Sequence, residues 1–258
     1  MTALDPVSLT QLNDALFDFR SVSPVQCLVG SGFGSLPQDR PILRLYGSSR
    51  CCSTARIAVV LHEKQIGYEL YPLQPTAYRM CLRHLPISTY TYQPPDHQDD
   101  GGIILHGCRN VCQYLATRYP DQGTRLIPDS NDTRSTELFG QAKFTESQSF
   151  EPLARNALYE TLMKRQQGFV PTDAIGSSAL QELSNIADGY EFILSRQKYL
   201  AGNDISLVDL YHLPYGEMLC SVEIDVLLTK SPNVSRWWAD ISSRPSWLAI
   251  RDGVPSKG

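Results

Sequence analysis

The stretch RLYGSSRCCSTARIAVVLHEK, Arg44 to Lys64, sets two adjacent cysteines, Cys51 and Cys52, between a short apolar run and a helix-spaced apolar pattern. A side chain at a helix start sits among unpaired amides at the positive end of the helix dipole. Such a position favours an anion, whether a bound thiolate or the protein's own. The ordinary use of a cysteine beside an apolar strand is as a small buried hydrophobe, and that reading competes at both positions. Cys51 to Thr54 has the spacing of a redox CxxC motif, but its last member is a threonine, and a bond between the neighbours Cys51 and Cys52 would close a strained ring. His106, Cys108 and Cys112 carry ligand atoms, yet structural zinc needs four ligands and no second paired motif is evident, so no metal site is expected. No GxGxxG, phosphate-binding loop or GxSxG motif occurs.

These residues need elements to hold them. From Ile42, ILRLYG reads as a strand, Ser53 to Glu63 as a helix and YELYPL as a second strand, a compact strand, helix, strand unit with parallel strands. TAYRMCLRHLP then reads as a short helix, STYTYQ as a third strand, PPDHQDDGG as a turn, IILHG as a fourth strand and Asn110 to Tyr119 as a helix. After the connector PDQGTRLIPDSND the strands stop. Helices are expected from about Ser135 to Arg165, Ser178 to Arg196, Ser206 to Leu219 and Val234 to Ser243. Ser206 and Asp209 form a variant capping box, with Ile205 and Leu210 placed as a hydrophobic staple. Pro152 and Pro214 fall inside helical patterns and should kink them. Trp237 and Trp238 suit core packing. On the long helix Phe139, Phe144, Gln148 and Tyr159 are candidates for a substrate cleft, with core packing as the alternative for each.

Upstream, SLTQLNDALFDF has helical spacing with Ser8 and Gln11 as a capping box, and GSGFGSLPQDRP has the composition of a linker. The expected division is residues 1–41 as extension and linker, 42–119 as a small α/β domain, 120–134 as connector and 135–258 as an all-helical domain. The 258 residues, 42% apolar and 19% charged, suffice for a sizeable core, and a formal net charge of -4 gives no general attraction to nucleic acid or anionic lipid. No apolar run approaches the roughly 20 residues of a spanning helix, and no signal peptide is recognisable, so a soluble cytosolic protein is expected. Seven cysteines, an odd number, fit reduced thiols in that setting.

A thioredoxin-like α/β N-terminal domain joined to an all-α C-terminal domain resembles the glutathione transferase superfamily. LYGS with ARIAVVLHEKQIGYEL looks like that family's first strand, first helix and second strand. RNVCQYLATRYPDQGTRLIP is similar to its third helix and connector, with a phi-class flavour, YLAGNDISLVDLYHLPY to its sixth helix and PNVSRWWADISSRPSW to its penultimate one. The resemblance spans about residues 42–250. It implies that the residue at the first helix start stabilises the thiolate of glutathione, which falls on Cys51, with Ser53 as rival donor, Cys52 as packing and Ser48 near the sulfur or its second substrate. It further implies glutathione contacts from Thr89 and Tyr90 on the third strand and from Gly107, Cys108 and Arg109 at the start of the third helix.

Three positions depart from the family pattern. Gly107 and Cys108 replace its Glu-Ser pair, Thr91 replaces its cis-proline (an alternative register would use Pro86), and Arg79, Arg83 and His84 are the only candidates near the glycine carboxylate. The implied activity is addition of the glutathione thiolate to a hydrophobic electrophile held between the domains by residues such as Phe144 and Gln148, in a homodimer. A cysteine at the first helix start also suits thiol transfer. The Cys/Ser-rich start and His106 have zeta-class counterparts, which keeps glutathione-dependent cis-trans isomerisation open. General resemblance also extends to glutathione transferases of fungal natural-product pathways, pseurotin biosynthesis among them, and a non-catalytic binding module is the remaining alternative.

Overall fold

The computed structural model describes residues 28–31, 43–72, 105, 107–164, 173–224 and 231–258. Strand β2 (Leu43–Gly47) alternates buried Leu43, Leu45 and Gly47 with more exposed Arg44 and Tyr46, the period of a strand with one covered face. Helix α1 (Cys52–Glu63) carries the chain across to β3 (Tyr68–Pro72), which pairs parallel to β2 with Leu43 opposite Tyr68 and Leu45 opposite Leu70. The covering helix is buried along Ile57 to Leu61, and Arg56 is buried with it. The expected parallel unit is therefore present.

The sheet gains an edge where composition suggested a linker. Strand β1 (Leu28–Ser31) lies antiparallel to β2, with Leu28 opposite Tyr46 and Ser31 opposite Leu43, so part of the upstream segment belongs to the sheet. On the other side the chain end is recruited. The Tyr68 and Leu70 N–H groups donate to Gly258 and Ser256 carbonyls at 2.9 and 2.8 Å, and Lys257 pairs with Glu69 at 2.9 Å. The expected helix at 76–86 and strand at 88–93 lie outside the described residues.

Helix α2 (Cys108–Arg118) packs on α1. The connector then crosses the end of α1 so closely that Gly123, at φ +61, has no room for a side chain: a Cβ would lie 2.1 Å from the Glu63 carbonyl oxygen.

The second half is helical. Helix α3 (Thr133–Thr145) runs through a π turn (Glu146–Phe150) into α4 (Glu151–Leu158) and a second π segment (Tyr159–Met163), where one long helix was expected. Pro152 lies in the first turn of α4. Lacking an N–H, it cannot donate to Gln148, and the helix instead widens, with Glu151 N–H reaching the Glu146 carbonyl. Helix α5 (Asp173–Leu194) packs against α4. Pro214 likewise splits the next helix into α6 (Leu207–Tyr211) and α7 (Leu213–Ser221), with Ser206 and Asp209 forming the expected capping box. Helices α8 (Pro232–Ser242) and α9 (Pro245–Leu248) close the domain. Trp237 and Trp238 are buried, as expected.

Asp209 is wholly buried and accepts from the Leu200 N–H, the Ser206 N–H and hydroxyl, and the Trp237 indole N–H, each within 3.0 Å. Nearby, His212 Nδ1 is 2.8 Å from the Val208 carbonyl oxygen, which can only accept, so this nitrogen carries the proton and Nε2 accepts from the Tyr190 hydroxyl at 2.9 Å. Among the described residues no helix is long and apolar enough to cross a membrane.

Candidate functional site

Gly47 ends β2 and Cys52 begins α1, so residues 48–51 form the turn that feeds the helix start. Close approach dictates Gly47: a Cβ there would lie 2.3 Å from Thr54 Oγ1. Cys51 is the N-cap, with extended backbone, its N–H donating to the Ser48 carbonyl at 3.1 Å and its carbonyl accepting from Ala55 N–H at 2.9 Å. The Cys51 side chain makes no capping hydrogen bond to α1, and no acidic residue occupies the first turn of that helix to offset its dipole.

Cys51 and Ser53, the expected catalytic pair, sit together at this start, each 7% exposed. Ser48 is half-buried in the turn before them. Cys52 faces the helical domain: its sulfur meets Met218 Sδ at 3.7 Å, and burial pushes its pKa up, which keeps it a neutral packing thiol.

The start of α2 likewise has no side-chain cap from its N-cap residue. Gly107 serves as its N-cap at φ +81, a conformation that strains any residue with a Cβ, and Val111 N–H donates to its carbonyl at 3.0 Å. Cys108, the first residue of α2, is buried. Glycine thus removes a side-chain ligand and a backbone strain together, leaving amides as the groups able to meet a carboxylate. Thr89 and Tyr90, expected on the third strand, and Arg79, Arg83, His84, Pro86, Thr91 and His106 lie outside the described residues.

Arg109 was expected to contact glutathione; its guanidinium grips Glu146 through two hydrogen bonds of 2.8 Å and also pairs with Glu151. Arg56 of α1 pairs with the same two carboxylates at 3.1 and 2.9 Å, and its Nε donates to the Tyr211 carbonyl at 3.0 Å. Two cations and two anions form a closed alternating ring between the α/β half and the helical half. Burial pushes the Glu146 carboxyl up, but two guanidinium groups within 3.1 Å keep it an acceptor of charge-assisted hydrogen bonds; in Glu151 the same arginines outweigh burial and hold the carboxyl below its usual range. Tyr215 stacks on Arg56 with the guanidinium carbon 5.3 Å from the ring centre.

The sequence reading missed Arg56, Glu146 and Glu151. A signal was present: a lone arginine inside TARIAVVL must be paired if the helix is buried on all sides. Of the cleft candidates, Phe139 is buried in the core, Phe144 is 67% exposed, and Gln148 and Tyr159 are exposed. Phe144 lies two residues from Glu146, about 200° around a helix, so it stands away from the face that meets Arg56.

A thioredoxin-like half joined to an all-helical half is the architecture that the sequence suggested. The family model for the glutathione S-transferase C-terminal domain matches residues 155–245. The chain is 34% identical over 202 residues to glutathione S-transferase PM239X14 of Arabidopsis thaliana, covering 76% of this chain and 90% of that protein. It is also 34% identical over 209 residues to glutathione S-transferase hmp2 of Hypomyces subiculosus, covering 80% and 96%. Among solved structures, glutathione transferase F7 of Populus trichocarpa superposes with a TM-score of 0.69 at 28% identity, covering 83% of this chain and all of that one. The chain belongs to the glutathione S-transferase family and is phi-class-like within it.

Proposed function

We propose that the chain catalyses attack of the glutathione thiolate on a hydrophobic electrophile. The observation that carries this reading is that α1 and α2, which pack on one another, start at Cys51 and Gly107 with no capping hydrogen bond from either N-cap side chain. The α1 start suits the sulfur and the α2 start suits the γ-glutamyl carboxylate. The Cys51 thiol or the Ser53 hydroxyl donates a hydrogen bond to the sulfur, which lowers the thiol pKa. The thiol proton leaves to solvent, the sulfur electron pair forms a bond to an electrophilic carbon, and with an aryl halide the halide departs with its bonding pair. Solved relatives support the cosubstrate, since glutathione S-transferase I has been described with lactoylglutathione bound, at 25% identity to this chain.

Retention on immobilised glutathione, a thermal shift with the free tripeptide and conjugation of an activated aryl chloride are the expected results. Absence of both retention and shift overturns the reading. Replacing Cys51 with Ser separates two uses of the thiol: conjugation persists through a hydroxyl donor, whereas disulfide exchange with glutathione disulfide is lost. Survival of exchange in Cys51→Ser would place the reactive thiol elsewhere. A homodimer belongs to the same proposal, and the mass in solution from light scattering tests it.

A further inference from the structure

The ring of charges depends on the π turn. Five residues advance an α-helix by about 500°, which would leave Glu146 and Glu151 about 140° apart and unable to serve one partner. Across Glu146–Phe150 the Glu151 N–H bonds five residues back to the Glu146 carbonyl, which brings the two side chains onto one face. Both then reach both arginines. The ring has an inner and an outer half: Arg56 and Glu146 are at most 1% exposed, whereas Arg109 and Glu151 are 26% and 19% exposed. Arg109 is the second residue of α2, next to the start at Gly107. Without the charge of Glu151, two guanidinium groups would share one buried carboxylate. The more exposed of the two, Arg109, would be the one released.

The geometry points to Glu151 as a positioning residue for the γ-glutamyl end of glutathione: through Arg109 it fixes the first turn of α2. It touches no substrate. This inference rests on the proposed function, because the α2 start matters only if it receives the carboxylate.

The test compares the wild-type chain with Glu151→Gln, which keeps size and one acceptor oxygen, and with Arg109→Lys, which keeps charge but loses the fork. Calorimetric titration uses glutathione and the dipeptide cysteinylglycine, which lacks the γ-glutamyl arm. Both variants should bind glutathione roughly tenfold more weakly, the scale of one charge-assisted hydrogen bond, with dipeptide affinity unchanged. In turnover the KM for glutathione should rise while the KM for the electrophile holds. Equal weakening of both peptides, no change in either, or tighter glutathione binding overturns the inference. Hydrogen exchange at the Val111 and Cys112 amides without ligand gives a second readout, expected to quicken in both variants. If the wild-type chain binds no glutathione, the proposed function fails; unchanged exchange in Glu151→Gln then also rejects the positioning role, and faster exchange retains Glu151 as the group that fixes the α2 start.

Discussion

The Glu63 carboxylate, in the last turn of α1, accepts two hydrogen bonds from the Arg244 guanidinium, 2.6 and 2.7 Å long, across a separation of 181 residues. Ser246 and Thr124 hydroxyls donate to the same carboxylate at 2.5 Å. Two distant segments, around Thr124 and Arg244, therefore converge on the end of the helix whose start holds Cys51. Burial pushes the Glu63 carboxyl up, but the hydrogen bonds from Arg244, Ser246 and Thr124 outweigh it and hold it below the usual range.

A folded-state pKa below the unfolded one means stability that is complete above about pH 4.5 and lost as pH falls through the lower folded value. Arg244→Ala should lower stability at pH 7 by about 2–3 kcal/mol, and Glu63→Gln should flatten the acid limb of the unfolding profile. Urea denaturation between pH 7 and pH 3 measures both. An unchanged acid limb in Glu63→Gln would reject the assignment.

Gly47 and Thr54 set how tightly the Cys51 turn is wound. Gly47→Ala should destabilise by roughly 1–3 kcal/mol, because its methyl would meet the Thr54 hydroxyl at 2.3 Å. Pairing it with Thr54→Ala removes the clashing atoms, so the double variant should lose less than the sum of the single ones. Additive losses in denaturant unfolding would mean that the two residues are not in contact.

The strand, helix, strand unit and the capping box were legible in the sequence because each is written locally, in alternation, in helical spacing and in Ser206 with Asp209 three residues on. The position of Cys51 at a helix start came from the family resemblance instead, since the local pattern began the helix at Ser53, one residue later than observed. The charge ring was not legible. Arg56, Arg109, Glu146 and Glu151 meet only once two halves of the chain pack, and the register joining Glu146 to Glu151 is that of a π turn, which a 3.6-residue wheel places on different faces. Leu28–Ser31 was hidden by composition, since a short strand rich in small residues reads as linker until a partner edge supplies its hydrogen bonds.

His212 should remain uncharged far into acid. Burial lowers its pKa to about 3, while the Val208 carbonyl bond opposes that shift only partly. An unfolded histidine titrates near 6.5, so this group favours folding fully above that pH, and stability falls as pH drops from about 6.5 towards 3, by up to about 1.4 kcal/mol per pH unit. Nitrogen-correlated NMR should show its ring neutral, with the proton on Nδ1, from pH 7.5 down to pH 4.5. A titration near pH 6.5 in the folded protein would contradict the buried bond to Tyr190.

Of the two arginines in the ring Arg56 has less access to water, and its loss should be the more damaging. Arg56→Met leaves two carboxylates facing Arg109 alone, one of them fully buried, and should cost roughly 3–5 kcal/mol. The damage comes from the charge left behind more than from the bond removed. Arg56→Met combined with Glu146→Leu takes out the whole inner pair and leaves the partly exposed Arg109 and Glu151 balanced. The double variant should therefore be more stable than Arg56→Met alone, by about 1–3 kcal/mol in urea unfolding at pH 7. A double variant weaker than the single one would mean that shape and hydrogen bonding, rather than uncompensated charge, set the strength of this junction.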